Sequence, residues 1–229
     1  MPAEPAFTPA LFRFLRHLRK NNDREWFQEN KGRYERDVKE PALRFIAASS
    51  TWIRGISPHL VADPRPVGGS LFRIYRDVRF SKDKRPYKTH VGIHLRHESA
   101  VDAYAPGLYL HLEPGDVFAG AGIWHPDGAT LSEIRDALVD DPAAWKRAVG
   151  GRKFAETWAL SGESLKRSPR GYDPEHPLVE DLKRKDFIAI TGFTERDACA
   201  ADFSKRLEKA WRASAPLMKF LTRALDLPW

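Results

Sequence analysis

Two stretches of this chain alternate at a period of two residues. Between His90 and Arg96, Val91, Ile93 and Leu95 share one side, while His90, His94 and Arg96 share the other. Between Leu108 and Glu113, Leu108, Leu110 and Leu112 oppose Tyr109, His111 and Glu113. Such alternation describes a strand with one face in an apolar core and the other in different surroundings. Strand order and register are left open by this pattern. Strands are predicted at 71–80, 90–97, 107–113 and 116–124, with turns at 81–88, 98–106 and 114–115. Pro114-Gly115 is short enough for a hairpin, which makes the strands beside it antiparallel.

The first predicted strand carries an inconsistency. Phe72, Ile74, Val78 and Phe80 fall on one side, and Arg73, Tyr75, Asp77 and Arg79 on the other. Arg76 takes the apolar parity, where a guanidinium needs a carboxylate or a bound anion. The segment therefore marks a site.

Helical patterns flank the strands. Thr8-Pro9 opens a helix bearing Leu11, Phe12, Leu15 and Leu18. Asp23 caps a second, predicted from Arg24 into Val38, and Pro41 ends it and starts a third through about Ile53. After the strands, Thr130 and Glu133 suggest a capping box, and Asp141-Pro142 opens another helix. Further strands are predicted at 154–160 and 187–191, with a short helix opened by Pro177 between them. Thr194 caps a long final helix, expected to break near Pro216. The expected fold class is α+β, a mainly antiparallel central sheet flanked by N-terminal and C-terminal helices, in a single domain over residues 1–229.

Composition narrows the class further. No apolar run among the 229 residues approaches the roughly 18 of a membrane span. The N-terminal residues lack a basic and then apolar leader, and Cys199 is the only cysteine, so a cytoplasmic location is expected. Cys199 has no motif around it and reads as a packed thiol. The net charge of +7 favours anionic partners, but acids are interleaved with the bases and no tail concentrates one sign. Nucleic-acid binding is thus only weakly supported.

If these strands are neighbours with their apolar sets facing one way, the other face gathers Asp77, His94, His111 and Glu113 among arginines and tyrosines. Such a set suits proton transfer or a divalent ion, and Asp77, His111 and Glu113 are the candidate acid–base residues. No diagnostic ligand spacing accompanies them, so no metal is assigned and the cofactor stays unknown. The turn at 81–88 holds Lys82, Lys84, Arg85, Tyr87 and Lys88. With Arg73, Arg76 and Arg79, residues Lys84, Tyr87 and Lys88 form the candidate anion site for a phosphate, sulfate or carboxylate. The competing account is an internal ion-pair network in which Asp77 and Asp83 neutralise these bases. Gly120 and Gly122 follow a strand without opening a helix, which favours close backbone packing or a bulge over a nucleotide loop. The stretch 166–172 is a second basic loop, on the surface or acting as an anion-binding lid.

Arg73, Arg76, Asp77, Arg79, Phe80, Lys84 and Tyr87 spell Arg-x-x-Arg-Asp-x-Arg-Phe-x-x-x-Lys-x-x-Tyr. Three further stretches accompany them: Asn21 to Phe27 with Asn30-Lys31, Tyr109 to Asp116 with Ala119 to Trp124, and Pro169 to Asp173 with His176-Pro177. In these motifs, spread over nearly the whole chain, the sequence resembles the family known as domain of unknown function 2461. The resemblance implies one intact domain in a mostly bacterial, soluble protein, and it transfers no catalytic residue. The expected function is recognition of a small anionic or phosphorylated ligand, such as a nucleotide, with or without catalysis. The alternatives are a non-catalytic binding or assembly module with a structural ion-pair core, and a nucleic-acid-binding protein.

Overall fold

The computed structural model describes residues 5–99 and 106–229. Six strands form one antiparallel sheet: β1 (Leu60–Val61), β2 (Val91–His97), β3 (Gly107–Glu113), β4 (Asp116–Ile123), β5 (Ala159–Ser161) and β6 (Phe187–Phe193). Their spatial order is β1-β2-β3-β4-β6-β5. The expected α+β architecture, with helices before and after a mainly antiparallel sheet, is what the chain adopts. The turn predicted at 98–106 lies largely outside the described residues.

Before the sheet run α1 (Pro9–Lys20), α2 (Arg24–Glu29), α3 (Lys31–Tyr34) and α4 (Glu40–Ile53), with one π-helical stretch at Glu35–Lys39 joining the last two. The helix predicted as one unit from Arg24 is interrupted at Asn30, whose side-chain amide donates to the Trp26 carbonyl. Pro41 does not end the next helix, because it sits in the first turn of α4 directly after the widened π turn. After the main strands come α5 (Gly128–Asp140), α6 (Pro142–Gly150), α7 (Arg152–Ala155), α8 (Val179–Leu182), α9 (Glu195–Ala198) and α10 (Phe203–Ala224). Residues 154–160, predicted as a strand, are divided between α7 and β5. Asp127 caps α5 by accepting from the Thr130 amide, so that helix starts ahead of the expected Thr130. Thr194 and Asp197 form a capping box for α9, while α10 starts separately. Pro216 lies inside α10 on its exposed side, where water can satisfy the carbonyl deprived of its donor.

Register explains the core. Leu108 pairs with Leu95 and Ala121, and Leu110 with Ile93 and Ala119, so the apolar parities of three strands share one face. These residues are buried with Leu11 and Leu15 of α1, Ile46 of α4 and Leu207 and Trp211 of α10. The Trp211 indole donates to the Gly120 carbonyl at 3.3 Å, fixing α10 to β4. No helix among the described residues is long and apolar enough to cross a membrane.

Candidate functional site

The second sheet face is hollowed into a cavity of about 620 Å³, lined by Phe72, Lys88, His90, His94, Tyr109, His111, Phe118, Trp124, Ile188 and Ile190, with Gly107, Gly120, Ala121 and Gly122. The register places these side chains together. Tyr109 pairs with His94 and Gly120, His111 with Gly92 and Phe118, and Gly120 with Ile190. Glycines make the space. A Cβ on Gly92 would lie 2.8 Å from the Tyr109 hydroxyl, and one on Gly107 would collide with the His94 ring. Gly122, at φ +126°, brings its backbone against the Phe187 carbonyl. Of the two glycines of β4, Gly122 thus serves close backbone approach, whereas a Cβ on Gly120 would meet nothing nearer than 3.5 Å, and the ladder is continuous without a bulge.

One end of the cavity is polar. The Tyr109 hydroxyl is 3.0 Å from His111 Nδ1, and His111 Nε2 is 3.4 Å from Glu113 Oε2. Thr89 donates its hydroxyl to Glu113 Oε1 at 2.7 Å. The His111 ring stacks on Phe118 at 4.7 Å and meets the His90 ring at 4.5 Å. Burial, then the neighbouring His111, lowers the pKa of His90 to about 4, so the ring is neutral at pH 7. Burial and then Arg96 hold His94 at about 4 as well. Burial pushes the Tyr109 phenol up. Lys88 extends from the loop end over the Phe72 ring, its Nζ 5.3 Å from the centroid. Burial first, and then Arg73, depress its pKa. Among the described residues no carboxylate forms a salt bridge with it.

The other predicted anion-site residues sit elsewhere on an irregular hairpin. Segment 71–80, predicted as a strand, makes only isolated bridges, Leu71 to Ile93 and Tyr75 to Tyr87. It follows the edge of β2 through the Phe72 amide, which donates to the Gly92 carbonyl at 2.9 Å, and then turns away. Strict alternation therefore fails there: Ile74 is buried, but Phe80 is 95% exposed. Arg76 meets a carboxylate, Asp83, at 2.6 Å, and also donates to the Arg85 carbonyl. Asp83 is shared with Arg85 at 2.7 Å. Asp77 pairs with Arg79 at 2.7 Å, and this hydrogen bonding holds its pKa down at about 2. Lys84 donates to the Val78 carbonyl at 3.0 Å. Arg73 is exposed. Tyr87 is buried against Phe27, with ring centroids 4.1 Å apart. Its amide donates to Asn22 Oδ1, and its carbonyl accepts from Asn22 Nδ2, both at 3.0 Å. Two motifs far apart in sequence are joined at this contact.

Of the predicted acid–base trio, the structure brings His111 and Glu113 together and leaves Asp77 on the hairpin. Of the predicted anion residues, only Lys88 lines the cavity. His90, Phe72, Trp124, Ile188 and Ile190 were not among the sequence-based candidates. Lys88, His90 and His94 share one parity, a signal present in the sequence, whereas the β4–β6 pairing that supplies the isoleucines has no local signature. In the second basic loop, Tyr172 donates to Asp136 at 2.8 Å, tying the loop to α5. Cys199 is partly buried, and burial raises its thiol pKa.

An antiparallel sheet with one helix-covered face and one face hollowed among aromatic rings and histidines defines an α+β protein with a pre-formed sheet-face cavity. The chain belongs to the family described as Conserved hypothetical protein (DUF2461), whose sequence profile matches residues 10–220. No curated protein and no solved structure matches it.

Proposed function

We propose that the protein binds a small anionic ligand with a ring or apolar body in the sheet-face cavity, where His111 and Glu113 exchange a proton with it. The observation that carries this reading is Lys88. A half-buried ammonium whose charge is disfavoured by its surroundings, and which has no carboxylate partner among the described residues, is stabilised by an incoming anion. The cavity volume suits a small molecule, and its aromatic and aliphatic walls suit a flat or apolar body. Tyr109 and Thr89 orient His111 and Glu113, as an acid–base pair requires. Asp77 has no part in this reading, because its carboxylate is taken by Arg79. Phosphorylated aromatic metabolites and nucleotides are the matching ligand class.

Isothermal titration with phenyl phosphate and with phenol tests the reading. Phenyl phosphate should bind more tightly, and Lys88→Met should weaken it by about tenfold or more, in line with a charge-assisted contact. Equal affinity of wild type and Lys88→Met for phenyl phosphate, or a preference for phenol, would sink it.

A second reading rests on Phe80. This fully presented ring lies beside Arg79, whose guanidinium carbon is 5.9 Å from its centroid, on a loop that also bears exposed Lys82 and Lys84. Basic residues around an exposed aromatic suit single-stranded nucleic acid, with the ring stacking on a base. Retention on a single-stranded DNA column should then fall steeply with salt and be lost in Phe80→Ala. Retention insensitive to both would remove this alternative.

A further inference from the structure

The polar end of the cavity holds a combination of donors that neither proton transfer nor anion binding requires. His90, His111 and Glu113 each offer one ligand atom, and these atoms lie within 4.8 Å of one another. They come from one side of two neighbouring strands. Val91 pairs with Leu112, so His90 lies one ladder step beyond, toward Glu113. This explains why the spacing 90, 111, 113 resembles no contiguous metal motif: the sheet register assembles the set.

We infer that His90, His111 and Glu113 form a site for a divalent transition-metal ion at the polar end of the sheet-face cavity. Two imidazoles and one carboxylate are the borderline donors that suit zinc, cobalt, manganese or iron rather than calcium or magnesium. The separation of 3.4 Å between His111 Nε2 and Glu113 Oε2 fits two donors each about 2.1 Å from a common ion. The remaining donor separations are within 4.8 Å, close to the roughly 4.2 Å that two such bonds span.

The surrounding contacts are those that fix metal ligands. The Tyr109 hydroxyl engages His111 Nδ1, which leaves Nε2 to face the ion, and Thr89 holds one oxygen of Glu113 and leaves the other available. Gly92, opposite His111, admits the Tyr109 side chain that makes this possible. Three protein ligands leave coordination positions open, and His90 and His111 both line the cavity. The nearby charges bear on ligand choice. One carboxylate cannot neutralise a divalent ion, and the ammonium of Lys88 adds to the excess, so an open position would favour an anion. An ion held here occupies the lone pairs of His111 and Glu113 and so replaces them as the acid–base pair; anion binding at Lys88 is independent of it, since the ion can be titrated alone.

Equilibrium dialysis of the full chain, freed of metal with a chelator, against zinc and cobalt chlorides provides the test. Wild type should bind one ion per chain, and cobalt should give the visible absorption of a nitrogen–oxygen site. Glu113→Gln and His90→Gln should each weaken binding at least tenfold with the circular dichroism spectrum unchanged, and Tyr109→Phe by about tenfold, as expected for an orienting contact. His94→Gln, which alters a cavity histidine outside the set, should leave affinity unchanged. No bound ion in wild type, full retention in Glu113→Gln, or loss in His94→Gln would overturn the assignment. Phenyl phosphate titrated into the chelator-treated protein reports separately on the anion reading.

Discussion

The hairpin at 71–88 and the polar end of the cavity treat charge in opposite ways. The hairpin carries most of the local cations, yet Arg76, Arg79 and Arg85 lie against Asp83 and Asp77 in exposed or half-exposed pairs. The cavity has fewer ionisable groups, and they are withdrawn from water: Lys88 is half-buried over Phe72, and His111 is buried between Tyr109 and Glu113. In the hairpin, water and neighbouring carboxylates already solvate the bases. In the cavity, that solvation is partly removed and not replaced by carboxylates on Lys88. Charge density thus locates a loop, and desolvation locates the surface proposed to bind a ligand.

This contrast can be broken most forcefully at the cavity floor. Gly122 combines a positive φ with contact to the Phe187 backbone, so Gly122→Ala should destabilise the fold by about 3 kcal/mol or more in urea titration. Gly192 lies on the same side of the sheet, and a methyl added there would meet no atom within 4 Å. Gly192→Ala should therefore leave the urea midpoint nearly unchanged. Equal costs would mean that the floor is not held by backbone approach.

A smaller effect is expected from acid. His94 titrates at about 4 in the folded chain against an ordinary value of 6.5, so between these values the unfolded chain binds more protons. Stability contributed by the neutral ring is complete above pH 6.5 and drains away as the pH falls toward 4, by about 3 kcal/mol as an order of magnitude. Stability curves of wild type and His94→Gln should converge over that window. Parallel curves would remove His94 as a source of the acid sensitivity.

The hairpin should respond least. Arg76→Met removes one of two arginines on Asp83, and we expect a fall in Tm of no more than about 3 °C with phenyl phosphate affinity unchanged. Loss of that affinity would return Arg76 to the proposed ligand site and erase the contrast. Arg79→Ala, at an exposed pair, should move neither quantity measurably.

What the sequence revealed follows the same division. The alternating residues of β2 and β3 disclosed their strands, their apolar face and the company of His111 with Glu113, because period-two patterning survives wherever one face is buried. The hairpin defeated that reasoning. Its chain leaves the β2 edge after Phe72, and without a continuous ladder the parity of Phe80 and Arg76 conveys nothing about their surroundings. The far wall of the cavity also escaped notice. Ile188 and Ile190 face Gly122 and Gly120 through a pairing that spans about 70 residues of chain, and no local pattern encodes such a partner.

The two hydrogen bonds between Asn22 and Tyr87 have a mechanical consequence. Lys88 is the next residue, so its reach over the cavity is set by an amide at the turn between α1 and α2. The hairpin is therefore anchored to the N-terminal helices beside Lys88 rather than at its exposed tip, Phe80. Any tug on Lys88 from inside the cavity is passed through that anchor to the N-terminal helices.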